Sequence, residues 1–257
     1  MFDRERPSFE ESNNVTVKRC FFAYEFAREF VKNKQTADIG CADGYGTQYL
    51  AAYTKSTIGV DYSEVTIAEA RIKHADKKNL SFISGSVPPI PLADESVDVV
   101  TAFQFIEHIQ ERTAFMRDVK RVLKPGGIFI CTTPNNKMSI ARNPFHVHEF
   151  TFEEMEKEAR AIFDKFELQG VQGNEKVNKY YADNAAWAKK ILKWDPLGIH
   201  KIIPASLLVG PYNFLTTIMR KTLKDQNQDT LEISTSDFFL TKDNLDTTWD
   251  IFLIAYK

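Results

Sequence analysis

The sequence lacks most of the features that mark specialised protein classes. It has three cysteines in 257 residues, Cys20, Cys41 and Cys131. They are odd in number and far apart, which excludes a disulfide framework and a paired-cysteine metal site. They read instead as reduced thiols of a cytoplasmic protein. No uninterrupted apolar run approaches the length of a membrane span, so no spanning helix is expected. The opening MFDRERPSFEESNN is polar and charged, which argues against a signal peptide. Excess positive charge is missing too. Lys and Arg number 33 against 35 Asp and Glu, a formal net charge of −2, so a general nucleic-acid partner is not expected. Internal repeats and low-complexity segments are absent, which excludes solenoid and fibrous architectures.

Apolar and aromatic residues are well supplied: 43% of the chain is hydrophobic and 20 residues are Phe. That is enough for one large core. Phe22, Phe26 and Phe30 recur every fourth residue within 15–31, the period of a helix. Short apolar runs at 36–39, 56–60, 80–84, 97–102 and 128–132 read as strands. Helical patterns at 47–53, 63–75 and 111–123 separate most of them. Ser63 is a suitable N-cap, and Thr151 with Glu154 forms a capping-box pattern for a helix to about residue 161. Residues 166–171 and 249–256 read as two further strands. Such alternation predicts an α/β fold: a Rossmann-like, seven-stranded, mostly parallel sheet with helices on both faces and one antiparallel edge strand. A single domain is expected, its core at 15–172 and 236–257, with a helical cap or insertion over about 174–235 that includes helices at 178–194 and 206–224.

The chemistry concentrates between residues 37 and 61. Asp38-Ile39-Gly40-Cys41-Ala42-Asp43-Gly44-Tyr45-Gly46 runs from a strand into a turn with small residues at alternate positions. Small residues permit a tight turn and close approach of a ligand to the backbone. Asp61 closes the next strand, where a carboxylate can accept both hydroxyls of a ribose. The Gly-x-Ala-x-Gly-x-Gly spacing is not the dinucleotide Gly-x-Gly-x-x-Gly. The carboxylates of Asp38 and Asp43 also suit a ligand carrying an ammonium and a sulfonium better than a pyrophosphate.

This turn resembles motif I of the class I S-adenosylmethionine-dependent methyltransferases. The likeness continues in order through Ile58 to Ser63, Pro91 to Val100, Phe105 to Ile109 and Leu123 to Gly127. The resemblance implies a methyltransferase, with S-adenosyl-L-methionine as cofactor and S-adenosyl-L-homocysteine as product. It also implies that Tyr24, Asp38, Gly40, Cys41, Ala42 and Gly44 surround the methionine part, Asp61 the ribose, and Tyr62, Ser86 and Val87 the adenine. Phe103 and Gln104 fall beside the sulfonium. The chain departs from the family at Ser86, where relatives often carry Asp.

Tyr24-Glu25-Phe26-Ala27, and Asn143-Pro144-Phe145-His146-Val147-His148-Glu149-Phe150 after the fifth strand, resemble a subgroup of type 11-like methyltransferases associated with glycan and polysaccharide biosynthesis. That resemblance implies O-methylation of a sugar or related small-molecule hydroxyl, free or lipid-linked. His146 is the favoured general base, with His148 the other candidate and Glu149 the orienting carboxylate. If this segment is extended, His146 and His148 face the same way. His108 reads as a support of its loop, and no metal is required by the spacing. Natural-product, quinone-lipid and protein acceptors stay open, as does a non-catalytic member of the fold. Within 174–224 lie nine Lys and Arg against three carboxylates, interleaved with apolar residues. This segment reads as a lid over the site, a contact with a second copy, or a peripheral membrane contact at the inner face.

Overall fold

The computed structural model describes residues 15–139, 143–192, 210 and 233–257. Helix α1 spans Val15–Val31, followed by β1 Gln35–Ile39, α2 Tyr45–Ala51, β2 Ser56–Asp61, α3 Glu64–Lys73 and β3 Leu80–Ser84. Then come β4 Val97–Phe103, α4 Arg112–Val122, β5 Leu123–Pro134, α5 Phe152–Arg160 and β6 Lys165–Gly173. Helix α6 Glu175–Leu192, β7 Phe238–Thr241 and β8 Asp250–Tyr256 complete the order. The helical stretch expected at 206–224, and most of the expected cap, lie outside the described residues.

The fold is the α/β Rossmann-like one expected, with two corrections in the sheet. Eight strands, not seven, are found among the described residues, in the order β3-β2-β1-β4-β5-β8-β6-β7. The antiparallel final strand is not at the edge. It lies between β5 and β6, antiparallel to both, with Pro134 opposite Asp250 and Val171 opposite the same residue. The edge is held by the unexpected β7, which runs antiparallel to β6 from Gly173↔Phe238 to Gly170↔Thr241. Burial explains the exchange. All but the last residue of β8 are buried, and a strand apolar on both faces is stable only with cover on both faces. β7 has four residues with exposed Phe239, a short strand of the kind that suits an edge.

Alternation along the strands divides the core in two. Ala37, Ile39, Val100, Ala102, Phe129, Cys131, Leu253 and Ala255 face α4 and α5. Val99, Phe103, Ile130, Phe252 and Ile254 face α1 and α6. On this second side Tyr24, Ala27 and Val31 of α1 are buried. At α5 the Thr151 hydroxyl accepts from the Glu154 amide while the Glu154 side chain accepts from the Thr151 amide, completing the box. Strand order reverses between β1 and β4, so their carboxyl ends open a crevice of the kind in which ligands bind in open α/β sheets.

Phe115 is fully buried against Phe105 and Phe129, at ring separations of 5.4 and 6.1 Å. Truncating it to Ala is expected to cost about 3–5 kcal/mol of unfolding free energy, measured by urea denaturation. A loss below about 1 kcal/mol would mean that the α4 layer does not pack as described.

Candidate active site

The turn leaving β1 places Gly40, Ala42 and Gly44 at φ of 77°, 49° and 82°. Left-handed backbone at alternate positions explains the small residues there, because a larger side chain is strained in that region. A Cβ on Gly40 would also stand 2.4 Å from the Phe105 ring, and one on Gly46 would stand 2.1 Å from the Tyr24 ring. Asp61 accepts from the Ala42 amide at 3.1 Å and the Ser63 amide at 3.0 Å, which fixes its carboxylate at the end of β2 beside this turn.

Asp38 lies deeper. It is fully buried and accepts from the hydroxyls of Thr47 at 2.7 Å, Thr101 at 2.7 Å and Tyr24 at 3.2 Å. Burial pushes its carboxyl up to about 6, against the pull of those three donors, and the Asp61 charge adds to the rise. The group therefore organises the crevice from within instead of lining it. Cys41 also faces inward, 1% exposed, in a small cluster with Ile67, Ala70 and Phe82, so only its backbone fronts the turn. Phe103 packs its edge on Tyr24 at 4.7 Å. Gln104 is at φ 52° with its amide bonded to the Thr132 carbonyl at 2.9 Å. Held in that strained region, it turns the chain sharply at the end of β4. Tyr62 and Ser86 are exposed at the rim, and Val87 is half-buried. The turn, Asp61 and the residues after β3 and β4 thus meet at the carboxyl end of the sheet.

The histidine segment differs from an extended strand. The His146 amide bonds back to the Asn143 carbonyl at 3.2 Å, so residues 143–146 form a turn. Asn143-Pro144 is the signal that announces it. His146 and His148 consequently do not share a direction. His146 Nδ1 lies 2.6 Å from Glu149 Oε1, with side chains 13% and 11% exposed. His148 Nε2 lies 3.4 Å from Glu154 instead, its ring edge-on to Phe150. Ser139 donates to Glu149. Burial raises the Glu149 carboxyl, but hydrogen bonds from His146 and Ser139 and the charges of His146 and His148 outweigh it, and the net shift is downward. An anionic Glu149 makes Nδ1 the protonated nitrogen. The Asn143 side-chain amide, 2.9 Å from Nε2, selects the same tautomer by donating to its lone pair.

Beneath this pair sits Glu107, 1% exposed, which accepts from the Thr133 hydroxyl at 3.0 Å. Its backbone carbonyl accepts from the amides of Val147 and His148, at 2.8 and 3.1 Å. Burial pushes its carboxyl up to about 7, opposed first by the His146 charge and reinforced by that of Asp250. His108 Nδ1 is 3.0 Å from the Phe145 carbonyl. Glu107, His108 and His146 bring one donor atom each within 4.8 Å of one another. In the structure the Asn143 amide holds His146 Nε2. Sequence reasoning passed over Thr47, Thr101, Thr133 and Asn143, whose roles depend on the folded geometry; an isolated Thr inside an apolar strand is the one hint.

Residues 37–131 match the family model described as a methyltransferase domain. Over this segment the chain is similar to class I S-adenosylmethionine-dependent methyltransferases. The family and fold imply S-adenosylmethionine as cofactor. A relative from Mycolicibacterium smegmatis, described as a probable S-adenosylmethionine-dependent methyltransferase, is 34% identical over 158 residues, 60% of this chain and 60% of that protein. A ubiquinone biosynthesis O-methyltransferase from Dinoroseobacter shibae is 31% identical over 115 residues, 44% of each chain. The matches thus span less than two thirds of these curated relatives. The fold is shared with the [4+2]-cyclase SpnF, at a TM-score of 0.60 and 19% identity, covering 98% of this chain and 84% of that one. Among the described residues no helix is long and apolar enough to cross a membrane.

The two buried carboxyls of the domain give its stability a definite sign with pH. Folded values of about 6 for Asp38 and about 7 for Glu107 exceed the ordinary 3.8 and 4.5. The folded state then holds more protons than the unfolded one between those limits, so stability falls as pH rises through them. The ligand-free domain is expected to melt higher near pH ~5.5 than near pH ~8, and Glu107→Gln should flatten the slope. Carboxylates with lowered values, such as Asp98 and Glu149, act only at lower pH. Scanning calorimetry across this range checks the point, and a melting temperature that rises towards pH ~8 would refute it.

Proposed function

We propose that the protein transfers a methyl group from S-adenosylmethionine to a hydroxyl oxygen of a sugar or related small molecule, with His146 as general base. The observation that carries the reading is the Glu149–His146–Asn143 chain at the carboxyl end of the sheet. Glu149 holds the proton on Nδ1, which leaves Nε2 as the acceptor nitrogen of the ring. An acceptor hydroxyl displaces the Asn143 amide from Nε2, donates its proton there, and so becomes the stronger nucleophile.

The turn residues fit the cofactor. Gly40, Ala42 and Gly44 let the backbone approach it closely, and the Asp61 carboxylate is fixed beside that turn, where a carboxylate can accept from ribose hydroxyls. Asp38 contributes by holding α1, α2 and β4 around that turn, and negative charge there favours an ammonium. When bound, the cofactor supplies an electrophilic methyl on a sulfonium. The protein supplies alignment and the base, and alignment alone accounts for much of the rate in a bimolecular displacement. The O-methyltransferase relative supports oxygen as the acceptor atom. The shared fold of a cyclase warns that the fold by itself does not entail methyl transfer, so the site residues must carry the claim.

Calorimetry with S-adenosylhomocysteine should show micromolar-range binding, weakened about tenfold or more in Asp61→Ala. With an accepted sugar, His146→Ala should lower kcat by about a hundredfold or more and leave that binding intact. His148→Ala should change kcat by no more than about threefold. Cofactor binding without turnover on any hydroxyl acceptor would instead establish a non-catalytic member of the fold.

A further inference from the structure

The α1 face of the sheet ends, on the crevice side, in polar atoms that the fold leaves unpaired. Asp250 opens β8 on the same face as Phe252 and Ile254, opposite the last residue of β5. Its carboxylate pairs with Arg19 of α1, Nε to Oδ2 at 3.0 Å, and the side chains are 12% and 2% exposed. The pair is close but not aligned as a hydrogen bond. Arg19 Nε and Asp250 Oδ1 are both buried without a partner among the described residues, as are the neighbouring Trp249 Nε1 and Asn184 Oδ1. Tyr181 joins them: its ring stacks on Trp249 at 4.0 Å, and the Arg19 guanidinium lies 5.4 Å from its centre. Asn184 is one helical turn further along α6, on the Tyr181 side. Buried polar groups are normally satisfied. With the Tyr181 hydroxyl, five such atoms sit on this one group of side chains and form a buried polar set that a polar ligand would satisfy.

Position ties this cluster to the reaction centre. Burial raises the Asp250 carboxyl, while Arg19 and a hydrogen bond from Gln104 pull it down. Gln104 is the strained residue closing β4, and its amide group also reaches Thr132 at 3.3 Å. On the other side Asp250 is close enough to Glu107 for its charge to be felt there. The cluster therefore stands between the β4 turn and the support of His146.

We propose that Arg19, Trp249, Asp250 and Asn184 form the acceptor subsite and bind a neutral, polyhydroxylated group. This rests on the methyl-transfer reading. Arg19 and Asp250 cancel each other's charge, so no charged ligand is called for. An anion would meet the Asp250 carboxylate, and a cation the guanidinium. The unpaired atoms comprise two donors, Arg19 Nε and Trp249 Nε1, two acceptors, Asp250 Oδ1 and Asn184 Oδ1, and the Tyr181 hydroxyl, which can do either. A hydroxyl both donates and accepts, so adjacent hydroxyls satisfy the mixed set. A planar phenol with one or two hydroxyls would leave most of it unpaired.

The test uses the full chain loaded with S-adenosylhomocysteine, whose binding is measured first by calorimetry. Saturation-transfer NMR is then recorded with methyl glucoside and methyl rhamnoside, and separately with catechol. Signals are expected for the glycosides, falling about fivefold in Trp249→Phe, which keeps the ring and removes the donor, and in Asp250→Asn. Binding of S-adenosylhomocysteine to Trp249→Phe should match the parent, which shows that this variant is folded. Glycoside signals absent from a parent that binds S-adenosylhomocysteine, or undiminished in both variants, or seen for catechol alone, would overturn the subsite. Failure of the parent to bind S-adenosylhomocysteine would remove the methyl-transfer reading, and the subsite with it.

Discussion

The Asp38 carboxylate is the contact on which the rest of the molecule depends. Its three donors come from α1 through Tyr24, α2 through Thr47 and β4 through Thr101. With β1 itself, four elements meet at one buried charge at the point where strand order reverses. A carboxyl is costly to bury, and its raised value shows that the three hydroxyls do not fully repay that cost. The arrangement is nevertheless specific, since it sets the Tyr24 hydroxyl on Asp38 and the Tyr24 ring over Gly46 at once. The fold thus accepts some instability at β1 in return for a defined crevice.

A second buried carboxyl, Glu107, does comparable work for the histidine segment. Its side chain anchors to β5 through Thr133, and its carbonyl holds the backbone of residues 147 and 148. That contact converts the chain after Asn143-Pro144 into a fixed loop and aims His146 at Glu149. The two carboxyls differ in what they organise. Asp38 ties β1 to the helices on either side of it in sequence, α1 and α2, and to its sheet neighbour β4, whereas Glu107 orders a loop that leaves the sheet altogether.

This difference explains how much the sequence discloses. The β1 turn is legible because left-handed φ restricts residue type locally, and Gly40, Ala42 and Gly44 show that restriction directly. Asp61 is legible because strand ends are, and the α5 cap because Thr151 and Glu154 satisfy each other within one turn. The neighbours of β8 are not legible. Alternation reveals that 249–256 is a strand, but its place between β5 and β6 follows from long-range burial. β7 has too few residues to show a period at all. The common orientation expected of His146 and His148 fails because it assumes extended backbone, while the Asn-Pro pair imposes a turn.

The proposed acceptor side is harder still to read, for a reason that lies in its construction. Arg19 and Asp250 come from the two ends of the described chain, and Tyr181 and Asn184 from a helix inserted between β6 and β7. No local pattern links them, and each reads alone as an ordinary polar residue of an amphipathic element. A cofactor common to many enzymes can be held by a short contiguous motif, because its chemistry does not change from one protein to the next. An acceptor that differs between enzymes must be recognised by residues free to change without disturbing that motif, and the far ends of the chain meet that requirement. Substitution at Trp249 or Asn184 leaves Asp38, its three donors and the β1 turn untouched. The division between a half held by one contiguous motif and a half assembled from distant segments is therefore a consequence of which elements border the crevice on each side of β4.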